Sequence, residues 1–196
     1  MPTRKSPRKG SLQFWPRKRA RKFLPRVNWG SIDSEKGLKG FICYKAGMAS
    51  AYVKDNTEHS MTKGKKIILP VTILECPTMK IFSVRFYKNG IVATEVLNNP
   101  LDKELKRKIK LPKEFKTKEA LEKAEKEGYD DLRVVVYSQV FKTSVKKRPD
   151  VIEVAISGSK EDKLKFVKEN LGKEISIREI FDKGIVDLRG ITKGTG

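Results

Sequence analysis

The sequence predicts a mostly β, α+β fold: a small antiparallel barrel or sandwich with helical decorations, preceded by an extended basic arm. Three observations carry this reading. Phe82, Val84 and Phe86 alternate with Ser83, Arg85 and Tyr87 and run into Asn89-Gly90, the pattern of a half-buried strand entering a type I′ hairpin. Further β-branched and apolar runs recur on both sides of this hairpin. The first 30 residues contain ten basic side chains and no acid, and show no apolar period.

Residues 1–36 form the arm. Pro2, Pro7, Pro16 and Pro25 each remove a backbone donor and resist helix, so in isolation this stretch is expected to be disordered. Residues 37–97 form a first β part. It has strands at 41–44 and 48–53 around Gly47, a polar loop at 54–66, and strands at 71–76, 80–88 and 91–97. Residues 98–131 read as a surface helical insertion. Leu101, Leu105 and Ile109 recur every four residues up to Pro112, and 117–126 is rich in helix formers and closed by Gly128. Residues 132–196 return to strand at 132–140 and 151–156. Ser159 with Asp162 then opens a helix as a capping box, and Ser176 with Glu179 repeats the arrangement. Residues 185–188 read as a last strand.

The chain has 196 residues and a formal net charge of +20, of which residues 1–30 supply half. Self-repulsion on that scale opposes compaction, and a polyanion is its natural counterpart. Six of the twelve arginines lie in residues 1–26. Arginine's planar fork suits bidentate phosphate contact and stacking on bases, whereas lysine acts as a point charge. Arg4, Lys5, Arg8, Lys9, Arg17, Lys18, Arg19, Arg21, Lys22 and Arg26 are therefore the candidate phosphate ligands. Phe14 and Trp15, with Phe23, are interleaved with them and either stack on unpaired bases or dock the arm onto the body. An arm meeting roughly 8 phosphates would bind with a steep salt dependence. Two plainer readings of the run at 16–22 are a nuclear-localisation signal and part of a transit peptide. Lys39 and Lys45 flank the first strand, where Gly37, Gly40 and Gly47 remove side-chain bulk and would let a phosphate backbone come close.

Catalysis has little support. His59 is the one histidine and sits in a polar loop; no nucleophile-elbow, Walker or zinc spacing occurs. Carboxylates alternate with lysines, as on a solvated helix face. Cys43 and Cys76 lie in apolar segments without CxxC spacing and read as two small buried hydrophobes in a reducing cytosol. No cofactor and no metal are expected. The longest near-apolar run, 67–74, is far short of the roughly 20 residues that span a bilayer.

Four stretches together resemble one family, the universal ribosomal L-three family in its archaeal and eukaryotic branch: GSLQFWPRKRA at 10–20, FICYKAGMA at 41–49, VTILECPTM at 71–79 and DLRGITKGTG at 187–196. The resemblance implies a translation-protein-type antiparallel β-barrel carrying a helical insertion. It also implies a structural role in the large ribosomal subunit, binding large-subunit rRNA near its 3′ end early in assembly, beside neighbouring subunit proteins in the cytoplasm. Arg17, Lys18, Arg19, Lys45 and Lys193 stand at positions that the resemblance turns toward RNA. Two departures accompany it. Thr195 stands where the family usually has lysine, and the sequence ends at Gly196 where family members continue. The expectation is an incomplete barrel from a truncated, frameshifted or split gene, with a second chain as a possible partner. Its open strand edge would make the isolated chain marginally stable or insoluble at low salt. The competing readings are a non-ribosomal RNA chaperone or chromatin protein and, further off, an enzyme on a barrel scaffold.

Overall fold

The computed structural model describes residues 5, 19–32, 37–112, 116–181 and 184–191. The chain divides into two units, residues 28–184 and residues 1–27 with 185–196. All regular elements among the described residues belong to the first.

Among the described residues seven strands, all paired antiparallel, form two sheets. β1 (Gly37–Leu38), β4 (Met79–Lys88), β5 (Ile91–Leu97), β6 (Asp131–Ser138) and β7 (Val151–Ser157) make a five-stranded sheet in the order β1-β7-β6-β4-β5. β2 (Tyr44–Lys54) and β3 (Lys66–Glu75) pair only with each other, as a long ribbon. Among the described residues the strands do not close into a barrel. The β4–β5 turn is the expected one: Asn89 (φ 52°) and Gly90 (φ 76°) both take the left-handed conformation that a type I′ turn demands.

The alternation read in β4 is interrupted. A bulge between Ile81 and Ser83 inserts one residue, and the period-2 pattern restarts on the other side. Phe82 therefore packs with Leu105, Val135 and Tyr137 on one face, while Val84 and Phe86 lie opposite Val134 and Leu132 on the other. Both faces are buried at this point, and Ser83 is buried with them, its hydroxyl donating to Glu95.

The second face is lined by Val84, Phe86, Val96, Leu132, Val134, Val136, Val154 and Ile156. Helix α1 (Thr117–Lys126) lies against β5, and α2 (Lys160–Asn170) against β6 and β7. α2 starts where its capping box predicts: the Asp162 amide donates to Ser159 Oγ at 3.3 Å, and Asp162 Oδ2 accepts from the Ser159 amide. Ser176 is the N-cap of the short α3 (Ile177–Ile180), but its side chain makes no capping bond.

Two sequence expectations are corrected. Segment 101–111 contains only a 3-10 turn, Lys103–Arg107. Like charges four apart, Lys103 with Arg107 and Lys106 with Lys110, work against a full helix. Asp102, at the N-cap, is also drawn away, since its carboxylate accepts from Tyr137 Oη at 2.7 Å, Lys80 Nζ at 3.2 Å and Gln139 Nε2 at 3.3 Å. Leu105 is fully buried and holds the turn onto the sheet, a burial worth about 2 kcal/mol. Residues 185–188 are not a strand; no strand pairs with them among the described residues, and Ile185 is wholly exposed.

The ribbon is longer and more continuous than its sequence suggested. The expected strands at 41–44 and 48–53 become one element from Tyr44, with a bulge between Lys45 and Gly47, and β3 begins at Lys66 rather than 71. One face carries Ala49, Ala51, Val53, Ile67, Leu69 and Val71, and the other Met48, Ser50, Tyr52, Lys54, Lys66, Ile68 and Thr72. Cys43 and Cys76, beside the base of the ribbon, are free half-buried thiols, both pushed up by burial.

Candidate nucleic-acid interface

An anion-binding surface needs cations that the protein has not already neutralised. On the five-stranded sheet most have been. Glu153 accepts from Arg85 Nη1 at 2.7 Å, Arg133 Nη1 at 3.1 Å and Tyr87 Oη at 2.8 Å, and the Arg133 guanidinium lies 4.4 Å from the Tyr87 ring centre. Arg85 is held from its other side by Glu95 at 3.1 Å. Burial would raise the Glu153 carboxyl, but the bonds from Arg85, Tyr87 and Arg133 outweigh it and hold the group below its ordinary value. Asp131 behaves alike: burial opposes ionisation, and Lys163 at 2.6 Å with Arg133 at 3.2 Å overcomes it. These cations serve the fold.

The arm is the opposite case. Lys5, Arg19, Arg21, Lys22 and Arg26 are exposed and form no ion pair among the described residues. Phe23 is 60% exposed in their midst. Arg4, Arg8, Lys9, Phe14, Trp15, Arg17, Lys18 and Lys193 lie outside the described residues.

The ribbon adds a second set. Lys45, Lys54, Lys63, Lys65 and Lys66 are exposed, and none is in an ion pair among the described residues. Lys54 and Lys66 are direct cross-strand partners, an arrangement that costs energy unless an anion sits between or beside them. The connecting loop is knotted around Asp55, whose carboxylate accepts from the Thr57 amide at 2.9 Å, Ser60 Oγ at 2.6 Å and Thr62 Oγ1. Those bonds, Ser60's foremost, hold the Asp55 carboxyl far below its usual range. Asp55, the acid next to Lys54 in sequence, is thus spent on the turn. Tyr52, 79% exposed opposite Ile68, offers an aromatic face beside the pair. Sequence reading placed Lys54 and Lys66 at the ends of a loop; the lysine run at 63–66 was the available signal, but the pairing is visible only in the register.

Two sequence candidates have structural duties. Lys39 Nζ donates to the Ile32 carbonyl and, at 3.5 Å, to that of Trp29, which closes the 3-10 turn Trp29–Ser31. Gly40 is small because of Trp29: a Cβ there would come within 2.8 Å of the indole ring. His59 is exposed in the ribbon loop, and among the described residues no group of three His, Cys, Asp or Glu could hold a metal. No helix of the described residues is long and apolar enough to cross a membrane.

Comparison with known families decides what kind of protein carries this surface. The family model for ribosomal protein L3 matches residues 1–196. The chain belongs to the ribosomal protein L3 family. The L3-family chain is 43% identical over 198 residues to the large ribosomal subunit protein uL3 of Archaeoglobus fulgidus, covering 97% of this chain and 60% of that one. It is 42% identical to the uL3 of Methanocaldococcus jannaschii, covering 97% and 59%. It therefore spans about 60% of the length of these L3 relatives. The mostly β, antiparallel architecture expected from the L3 resemblance is present.

Proposed function

We propose that this chain is a structural, non-catalytic component of the large ribosomal subunit that binds large-subunit rRNA near its 3′ end early in assembly, in the cytoplasm. The observation that carries the reading is the match to the L3 family along the whole chain, joined to an arm whose first 30 residues carry no acid and whose described cations lack carboxylate partners. The arm residues Arg4, Lys5, Arg8, Lys9, Phe14, Trp15, Arg17, Lys18, Arg19, Arg21, Lys22 and Arg26, with Lys45 and Lys193, contact RNA; Lys39 joins them only if it releases its carbonyls. Charge neutralisation supplies affinity, and the shape of folded RNA supplies register. Neighbouring large-subunit proteins are its protein partners.

Sedimentation of the tagged chain through a high-salt sucrose cushion tests this. Retention with large subunits is the expected result. A chain that binds RNA but leaves the subunits under those conditions would be a free RNA chaperone instead, and the proposal would fall.

A further inference from the structure

Two basic runs distant in sequence meet on the body of the protein. The turn at 103–110 and the loop at 146–148 are joined where Arg107 Nη1 donates to the Lys147 carbonyl at 3.4 Å. Both are anchored to one apolar cluster. Leu105, Ile109 and Leu111 hold the turn against Phe82, Val135 and Tyr137, and Val151, just after the loop, packs on the same cluster. Pro149 and Asp150 are buried, and the Asp150 carboxylate accepts from Lys146 Nζ at 2.6 Å and Tyr44 Oη at 2.8 Å. The loop is therefore held from beneath.

Above this base, Lys103, Lys106, Lys108, Lys110, Lys147 and Arg148 are all exposed, and none has a carboxylate partner among the described residues. The acid within the turn, Glu104, is paired with Arg107 at 2.9 Å. The sheet's arginines are matched to carboxylates, yet here like charges are gathered on a rigid support at the expense of helix in the turn. Such a patch is stabilised by a bound polyanion.

We propose that this patch is a second RNA-binding face, gripping the phosphate backbone of folded RNA independently of the arm. The inference rests on the RNA-binding reading above and extends it to residues of the folded body. The partner's chemistry follows from what the patch lacks. Among the described residues it displays no exposed aromatic ring for base stacking, and Val145 is its one exposed large apolar side chain. A protein partner needs buried anchors at the centre of its interface; a phosphate backbone needs only positioned cations.

The test measures fluorescence anisotropy of a labelled RNA hairpin with the full chain across a salt series. Changing Lys106, Lys108, Lys147 and Arg148 together to glutamine should flatten the slope of log K against log salt by about 3 to 4, roughly 1 per contact. Exchanging the same four positions Lys→Arg and Arg→Lys should preserve it. Neutralising Lys118 and Lys126 of α1, Lys165 of α2 and Lys173 just beyond α2 changes net charge equally and should leave the slope nearly intact. Equal losses in the two neutralised variants would reduce the effect to bulk charge and overturn the proposal. So would an unchanged slope in the patch variant, or patch-dependent capture of polyglutamate without patch-dependent RNA binding. If the unaltered chain shows no salt-dependent RNA binding, the proposed function itself fails; if only the patch variant is indifferent, this inference alone does.

Discussion

Tyr44 Oη donates to Asp150 Oδ2 at 2.8 Å across 106 positions of sequence. The same hydroxyl is 2.7 Å from Ser138 Oγ, which accepts from the Asp150 amide at 3.1 Å. The base of the ribbon is thus tied to the end of β6 and to the loop entering β7. Burial, ahead of the neighbouring groups, pushes the Tyr44 phenol far above its ordinary value, so it remains a donor at every working pH. Tyr44→Phe should cost about 1 to 2 kcal/mol, because Asp150 and Ser138 lose a partner in a buried place. The urea unfolding midpoint reads this; a variant as stable as the parent would show that the tie carries no weight.

Gly40→Ala should destabilise the body by about 1 to 3 kcal/mol, the range of overpacking in a close-packed site. The added methyl would press on the Trp29 ring, and Trp29 is held in place by the turn that Lys39 closes. A changed tryptophan emission together with a lower unfolding midpoint is expected. An unperturbed spectrum and midpoint would return Gly40 to the set of glycines kept small for an outside ligand.

The Glu153 hub sets an acid limit on stability. Glu153 and Asp131 both ionise more easily in the folded chain than at their ordinary values of 4.5 and 3.8. As pH falls through those values the unfolded chain takes up protons first. Their contribution is therefore complete above the ordinary values and is lost as pH drops through the lowered, folded ones. Chemical unfolding from about pH 6 down to about pH 3 should show stability falling with acid. Glu153→Gln should lower stability at neutral pH, since Arg85 and Arg133 lose their shared counter-charge, and should flatten the acid fall. An unaltered pH profile in that variant would contradict the hub.

Asp55→Ala should loosen the ribbon tip and leave the five-stranded sheet alone. Amide exchange is expected to quicken at Thr57, Thr62 and Gly64, and to stay unchanged at Val134 and Val136 of β6. Faster exchange throughout the sheet would show that the tip's order is not local.

These features differ in how well the sequence reports them, and the difference is one of range. Asn89-Gly90, the Ser159–Asp162 capping box and Gly128 (φ 73°) behind α1 are settled within a few residues, and each appears where expected. The 101–111 segment has a helical period, yet its N-cap carboxylate serves Lys80, Tyr137 and Gln139, residues 22, 35 and 37 positions away. Phe82 has a strand period, yet one bulge sends it to the opposite face from Val84 and Phe86. The acid-free stretch 1–30 is legible because absence of acid is a property of composition. Separating the neutralised Arg85 and Arg133 from the uncompensated Lys54 and Lys66 requires cross-strand register, which composition does not contain.

In the proposed function the arm's cations make phosphate contacts which carry much of the affinity for RNA. This is tested most directly by the salt dependence of binding to a large-subunit rRNA fragment, measured for the intact chain and for one lacking residues 1–30. Residues 1–30 hold ten basic side chains. If about eight of them meet phosphates, removal of the stretch should flatten the log K against log salt slope by about 5 to 7 and weaken binding steeply at low salt. Identical slopes for the two chains would show that the arm makes no such contacts.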